Sequence, residues 1–153
     1  MDEISTIDYA FDSSFMIGLE GQKRNYELFY YHPNDIFLES GIVKANGFYI
    51  ELLEQDKNYF KYLSDKIEIE LADFTFIFLR QDPPFNMHYI TSTYLLDCLP
   101  QNTVVINNPT SVRNCAEKIL PFRFKEFMPP TLVSQKLSDI QNFLTIHKDI
   151  ITK

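Results

Sequence analysis

Two short runs constrain this chain more than any other feature. Residues 74–79, broken only by Thr75, and residues 103–106, a Thr followed by Val-Val-Ile, show no alternation of polar and apolar positions. Strands of that composition are buried on both faces, as in a parallel sheet covered by helices. Each run passes directly into a polar, proline-bearing loop and then into a helical pattern. Arg80-Gln81-Asp82-Pro83-Pro84-Phe85 leads to a helix predicted over residues 86–99, with Tyr89, Ile90, Tyr94 and Leu95 near one face. Asn107-Asn108-Pro109-Thr110 leads to Ser111, which can cap a helix running to about residue 120 and carrying Glu117 and Lys118. Strands alternating with helices predict an α/β architecture with a mostly parallel sheet.

The remaining segments fit that plan. Asp12 or Ser13 can cap a helix in which Phe15, Met16 and Leu19 share a face and Lys23 and Arg24 sit at the end that favours cations. Gly18 and Gly21 weaken this helix intrinsically, so their presence predicts close packing on a sheet. Residues 27–31 read as a strand ended by His32-Pro33-Asn34-Asp35. Residues 36–38 and 42–45 read as a hairpin about Glu39-Ser40-Gly41, with residues 48–53 extending it. Residues 56–66 are polar with aromatic spots and give no firm assignment. Beyond Pro129-Pro130, a strand over 131–133, a helix over 136–146 with Leu137, Ile140 and Leu144 on one face, and a strand over 149–152 are predicted. The expected domain boundary lies between Cys115 and Pro130.

A chain of 153 residues suits one domain, or one domain with part of a second, and 45% hydrophobic residues suffice for a core. A net charge of −7 argues against a nucleic-acid partner, because phosphate neutralisation needs clustered Lys and Arg. The 14 Phe and 9 Tyr are therefore not read as a base-stacking platform. The opening Met1-Asp2-Glu3-Ile4 is acidic and no apolar stretch is long enough to span a bilayer, so a cytoplasmic location without membrane association is expected. Cys98 and Cys115 lack a CxxC spacing and read as reduced, half-buried thiols. His32, His88 and His147 show no metal-site spacing, and there is no P-loop, GxGxxG or GxSxG motif.

Four places can carry chemistry. Arg80 directly follows a buried strand, where ligands of open α/β sheets bind, and its forked donors suit a carboxylate. The competing reading is a turn in which Arg80 pairs with Asp82. The Asp12-Ser13-Ser14 helix start offers free amides to an anion or is simply a cap. The 107–111 loop has the same two readings. Lys118 and Lys153 are candidate phosphate ligands or ordinary surface lysines.

Several segments, in order and at near-family spacing, resemble prokaryotic glutathione synthetase. They are Met1-Asp2-Glu3-Ile4, Asp12-Ser13-Ser14-Phe15 with Leu19-Glu20 and Gln22-Lys23-Arg24, Tyr26-Glu27-Leu28, Leu79-Arg80-Gln81-Asp82-Pro83-Pro84-Phe85, Thr93-Tyr94-Leu95-Leu96, Val105-Ile106-Asn107-Asn108-Pro109, the stretch Ser111-Val112-Arg113-Asn114-Cys115-Ala116-Glu117-Lys118, Pro130-Thr131-Leu132-Val133 and Asp149-Ile150-Ile151-Thr152-Lys153. The R-x-D-P-P-F segment is the sharpest. Departures fall at Ala10, Phe11, Gln81, Asn108 and Ala116.

The resemblance implies a pre-ATP-grasp, Rossmann-like α/β fold over residues 1–117 without the family's first strand, and the opening of an ATP-grasp domain over 118–153. It implies that Arg80, with Ser13 and Ser14 as weaker candidates, lies at the peptide-substrate site and that Lys118 and Lys153 contact ATP. The family joins glycine to γ-glutamylcysteine with ATP and Mg²⁺. No catalytic or metal-ligating residue is assigned to this chain, which is expected to be inactive alone and to bind no cofactor stably. The alternatives are a non-catalytic small-peptide-binding or interaction module, half of a ligase completed by a separate ATP-grasp chain, a homo-oligomer, or an unrelated doubly wound domain.

Overall fold

A computed structural model describes residues 3–54 and 58–153. The chain divides into two compact units, Met1–Asn114 and Cys115–Lys153. The opening Met1-Asp2 pair and the first two residues of the unassigned 56–66 segment lie outside the described residues.

The first unit runs α1 (Ser13–Lys23), β1 (Leu28–Tyr30), β2 (Ile36–Glu39), β3 (Ile42–Leu52), β4 (Phe60–Tyr62), β5 (Ile67–Glu70), β6 (Phe76–Phe78), α2 (Met87–Asp97), β7 (Val104–Ile106) and α3 (Pro109–Asn114). Its class is α/β. Pairing is antiparallel wherever β3 takes part, and among the described strands only β6 and β7 pair in parallel. The sequence pattern of two apolar runs therefore located the parallel pair, whereas the larger sheet is antiparallel.

The 11-residue β3 is the axis of that sheet. Its first half lies between β2 and β5, with Ala45 opposite both Ile36 and Ile69. Its second half lies between β1 and β4, with Ile50 opposite both Leu28 and Tyr62. Successive side chains of a strand project to opposite faces. Val43 and Ala45 enter one core with Ile36, Leu71, Ile77, Leu79 and Leu96. Ile50 and Leu52 enter a second core with Ile4, Phe15, Leu19 and Tyr30. The buried positions thus change from odd to even along the strand, and one backbone serves a core on each face.

The β2–β3 turn places Ser40 and Gly41 at positive φ (52° and 85°), the primed geometry whose twist matches a two-residue hairpin. At α1, Asp12 caps the helix by accepting from the Phe15 amide at 2.7 Å. Phe15 and Leu19 are buried, but Met16 is exposed. Gly18 packs against Leu28 of β1 and Leu52 of β3, as close sheet packing requires. Asp12→Ala removes the cap, with an expected loss of about 1 kcal/mol in urea denaturation.

Tyr30 anchors the N-terminal segment, its hydroxyl accepting from the Ile4 amide at 3.3 Å. Tyr59 donates from its hydroxyl to the Ile4 carbonyl at 2.8 Å. Burial pushes the Tyr30 hydroxyl up to about 12, and burial raises Tyr31 also. An unfolded tyrosine ionises near pH 10, so below that pH both states keep the proton and the stability is fully present. Above it only the unfolded chain ionises. Stability is therefore expected to fall from pH 10 to 12, and Tyr30→Phe to lessen the fall, in denaturation curves across that range.

Several expectations need correction. Phe76, Phe78, Val104 and Ile106 are 42–45% exposed, so β6 and β7 are buried on one face only. The register pairs Phe76 with Val104 and Phe78 with Ile106, which places all four on that open face. The other face, through Ile77, packs on α2. In α2 the buried residues are Tyr89, Ser92, Thr93 and Leu96. Tyr94 is turned outward, with the Arg113 guanidinium 4.4 Å above its ring. That guanidinium also donates to Thr93 and pairs with Asp97, which locks α3 to α2. The helix expected over 111–120 is shorter and begins earlier, at Pro109, capped by Asn108 accepting from the Ser111 amide at 2.9 Å. Cys98 and Cys115 are free thiols and exposed rather than half-buried.

The second unit contains a kinked 3₁₀ segment (Leu120–Phe127) and α4 (Leu137–His147). Residues 131–133 and 149–152 are irregular rather than strands. A strand persists only when its backbone finds a partner, and among the described residues nothing in this unit supplies one. None of its residues is buried, and Leu137 and Leu144 of α4 are exposed. Roughly 40 residues seldom form a core by themselves.

Candidate functional site

The end of β6 delivers Arg80 to the start of α1. Arg80 Nε donates to Ser14 Oγ at 2.9 Å, and Nη2 donates to Ser13 Oγ. Asp12 holds the helix start in place through its cap, so the two serines are presented by an ordered first turn. Arg80 makes no ion pair among the described residues, Asp82 included, so the turn reading of this arginine fails.

A guanidinium has five N–H donors. With two engaged on hydroxyls, Arg80 is oriented and keeps donors and its whole charge for another group. The serine hydroxyls, having accepted from Arg80, still carry protons to donate. Exposed Arg80 thus forms with Ser13 and Ser14 a cluster of donors with positive charge and no acid in it, which suits a carboxylate. Ser14 and Arg80 line a cavity of about 580 Å³ formed in part by α1, β1 and β6, with Ile17, Leu28, Phe76 and Phe78 among its apolar walls. The following loop carries a cis Pro83–Pro84 bond.

In the second unit, Lys118 pairs with Glu117. That hydrogen bond and the Lys118 charge hold the Glu117 carboxyl below its usual range, and Lys153 adds to the effect. Lys118 and Lys153 therefore both act on one carboxylate. Among the described residues, no group of three or more His, Cys, Asp or Glu is placed to hold a metal ion. Among the described residues, no helix is long and apolar enough to cross a membrane.

The family model described as the N-terminal domain of prokaryotic glutathione synthetase matches residues 1–113. The chain belongs to the prokaryotic glutathione synthetase family. It is 44% identical over 154 residues to the glutathione synthetase of Buchnera aphidicola subsp. Schizaphis graminum. It is 42% identical over 153 residues to that of Agrobacterium fabrum and 39% identical over 153 residues to that of Brucella melitensis. Each match covers 100% of this chain and 48–49% of the relative. The chain thus spans about half the length of the curated relatives it matches, and it corresponds to the front half of a glutathione synthetase.

Within this family member, sequence reading found the three clustered residues of the first unit. It missed that Arg80 is oriented by both serines, because contacts across 66 and 67 residues of sequence leave no local signal. It also missed the Arg113–Asp97 lock. The available hint was a charge pair on two helices that each follow a strand.

Proposed function

We propose that unit 1 is the peptide-substrate domain of a glutathione-forming ligase and that Arg80, oriented by Ser13 and Ser14, holds a carboxylate of γ-glutamylcysteine. The orientation of an unpaired guanidinium by two hydroxyls at the end of a parallel strand carries this reading. In the whole ligase ATP phosphorylates the dipeptide's carboxylate and releases ADP. The glycine amine then attacks the acyl phosphate, phosphate leaves, and the amine proton goes to a base. Arg80 binds and orients the dipeptide in that sequence. Lys118 and Lys153 supply positive charge to ATP phosphates from the opening of the ATP-grasp domain. A substrate domain over residues 1–117 and the ATP-grasp opening over 118–153 are the functional division, and the compartment is the cytoplasm.

Titration of the chain with γ-glutamylcysteine, with glycine as comparator, tests the proposal. Saturable binding of the dipeptide is expected. Absence of heat or chemical-shift change at millimolar dipeptide would remove it.

The polypeptide of residues 1–153, about half the length of its relatives, is expected to form no glutathione by itself from γ-glutamylcysteine, glycine, ATP and Mg²⁺. Product in a sensitive thiol assay would refute that expectation. A second reading, half of a ligase completed by a separate ATP-grasp chain or another copy, is favoured by the exposed apolar side chains of the second unit. Activity on mixing with such a chain would establish it.

A further inference from the structure

The residue after Arg80 sets a separate problem. The Gln81 Oε1 atom is shielded from solvent and has no hydrogen-bond partner among the described residues. A shielded polar atom without a partner is destabilising, and native proteins seldom leave one. Gln81 lines a cavity of about 20 Å³ together with Tyr31, Ile36, Arg80, Ser92 and Leu96. About 10–15 Å³ is enough for one water molecule, so the cavity has room for one.

Its chemistry narrows the occupant. The orphan is an acceptor, so the occupant must donate. No acidic residue lines the cavity and the cation Arg80 does, which disfavours an ammonium. Tyr31 and Ser92, both hydroxyl-bearing, are among its lining residues. The Ser92 hydroxyl already donates to the His88 carbonyl at 3.2 Å, so its oxygen is left to accept. Water, with two donors and two acceptor positions, fits this set.

We propose that one ordered water is bound in this cavity, donating to Gln81 Oε1 and to Ser92 Oγ, and that it ties the 80–85 loop to α2. Gln81 is then a positioning residue. It fixes the loop that presents Arg80 and does not itself touch a substrate.

The test uses the whole chain, labelled with ¹⁵N, and plain water as the probe. Nuclear Overhauser transfer from water to the Gln81 side-chain amide and to the Ser92 amide is expected, with the sign of a bound molecule. In Gln81→Met, which keeps the shape and deletes the acceptor, that transfer should vanish. Amide exchange at residues 80–82 should quicken roughly threefold to tenfold, the loss expected for one neutral hydrogen bond. Absence of transfer in the native chain overturns the proposal, as does unchanged exchange in the folded variant. If the variant does not fold, the native spectrum alone decides. None of these readouts involves γ-glutamylcysteine, so they stand or fall apart from the substrate assignment.

Discussion

Replacing Arg80 by Ala is expected to weaken γ-glutamylcysteine binding roughly ten- to a hundredfold in calorimetric titration. Hydrogen bonds to a charged group contribute about 1.5–3 kcal/mol, and about 1.4 kcal/mol is a factor of ten. The guanidinium is exposed, which moves the estimate toward the lower end. Arg80→Lys keeps the charge and loses the fork that engages Ser13 and Ser14, so it should fall between the native chain and the Ala variant. Ser14→Ala leaves the charge in place and removes one of its two guides, with an expected loss of roughly threefold to tenfold. The fold should be indifferent to all three changes, because none of these side chains belongs to either core. Native affinity in Arg80→Ala would show that the dipeptide is held elsewhere.

The largest expected effect on stability comes from a single methyl group. A Cβ at position 47 would stand 2.3 Å from the Tyr30 carbonyl oxygen and 2.8 Å from two atoms of the Phe29 ring. The first of these is backbone in a paired strand and cannot rotate away. Relief requires β1 and β3 to separate, which strains the ladder that supports Tyr30 and the second core. Gly47→Ala should therefore cost about 3 kcal/mol, the upper part of the range for overpacking, and lower the melting temperature by roughly 10 °C. Gly18→Ala is the control. Its nearest obstacle, at 2.6 Å, is the end of the Leu52 side chain, which can change rotamer, and alanine restores about 1 kcal/mol of helix propensity. Equal melting temperatures for the two variants would defeat this argument.

What the sequence revealed was local. The Asp12 cap, α2, the β2–β3 hairpin and the parallel pair are each written in a few neighbouring residues. The antiparallel sheet was less legible, because β3 pairs with four strands and only its ladder with β2 follows from a tight turn. The exposed face of β6 and β7 was misread for a related reason. An unbroken apolar run does not say which neighbours cover each face, and here one face of the pair stays exposed. At the site, Arg80 could be picked out by its place after a strand, but Ser13 and Ser14 lie 66 and 67 residues away from it in sequence. Only the fold shows that they act on the same guanidinium. Strand assignments at 131–133 and 149–152 failed because apolar composition alone does not supply a pairing partner.

The odd-to-even change along β3 makes that strand a shared spine. Deleting one residue between Val43 and Ile50 would turn one end half a step against the other, so that Ile50 and Leu52 would be presented to the wrong hydrophobic compartment. Neither compartment can be dismantled while the other keeps its grip on the same backbone. The first unit should accordingly melt as one body, with tyrosines from either side reporting a single midpoint.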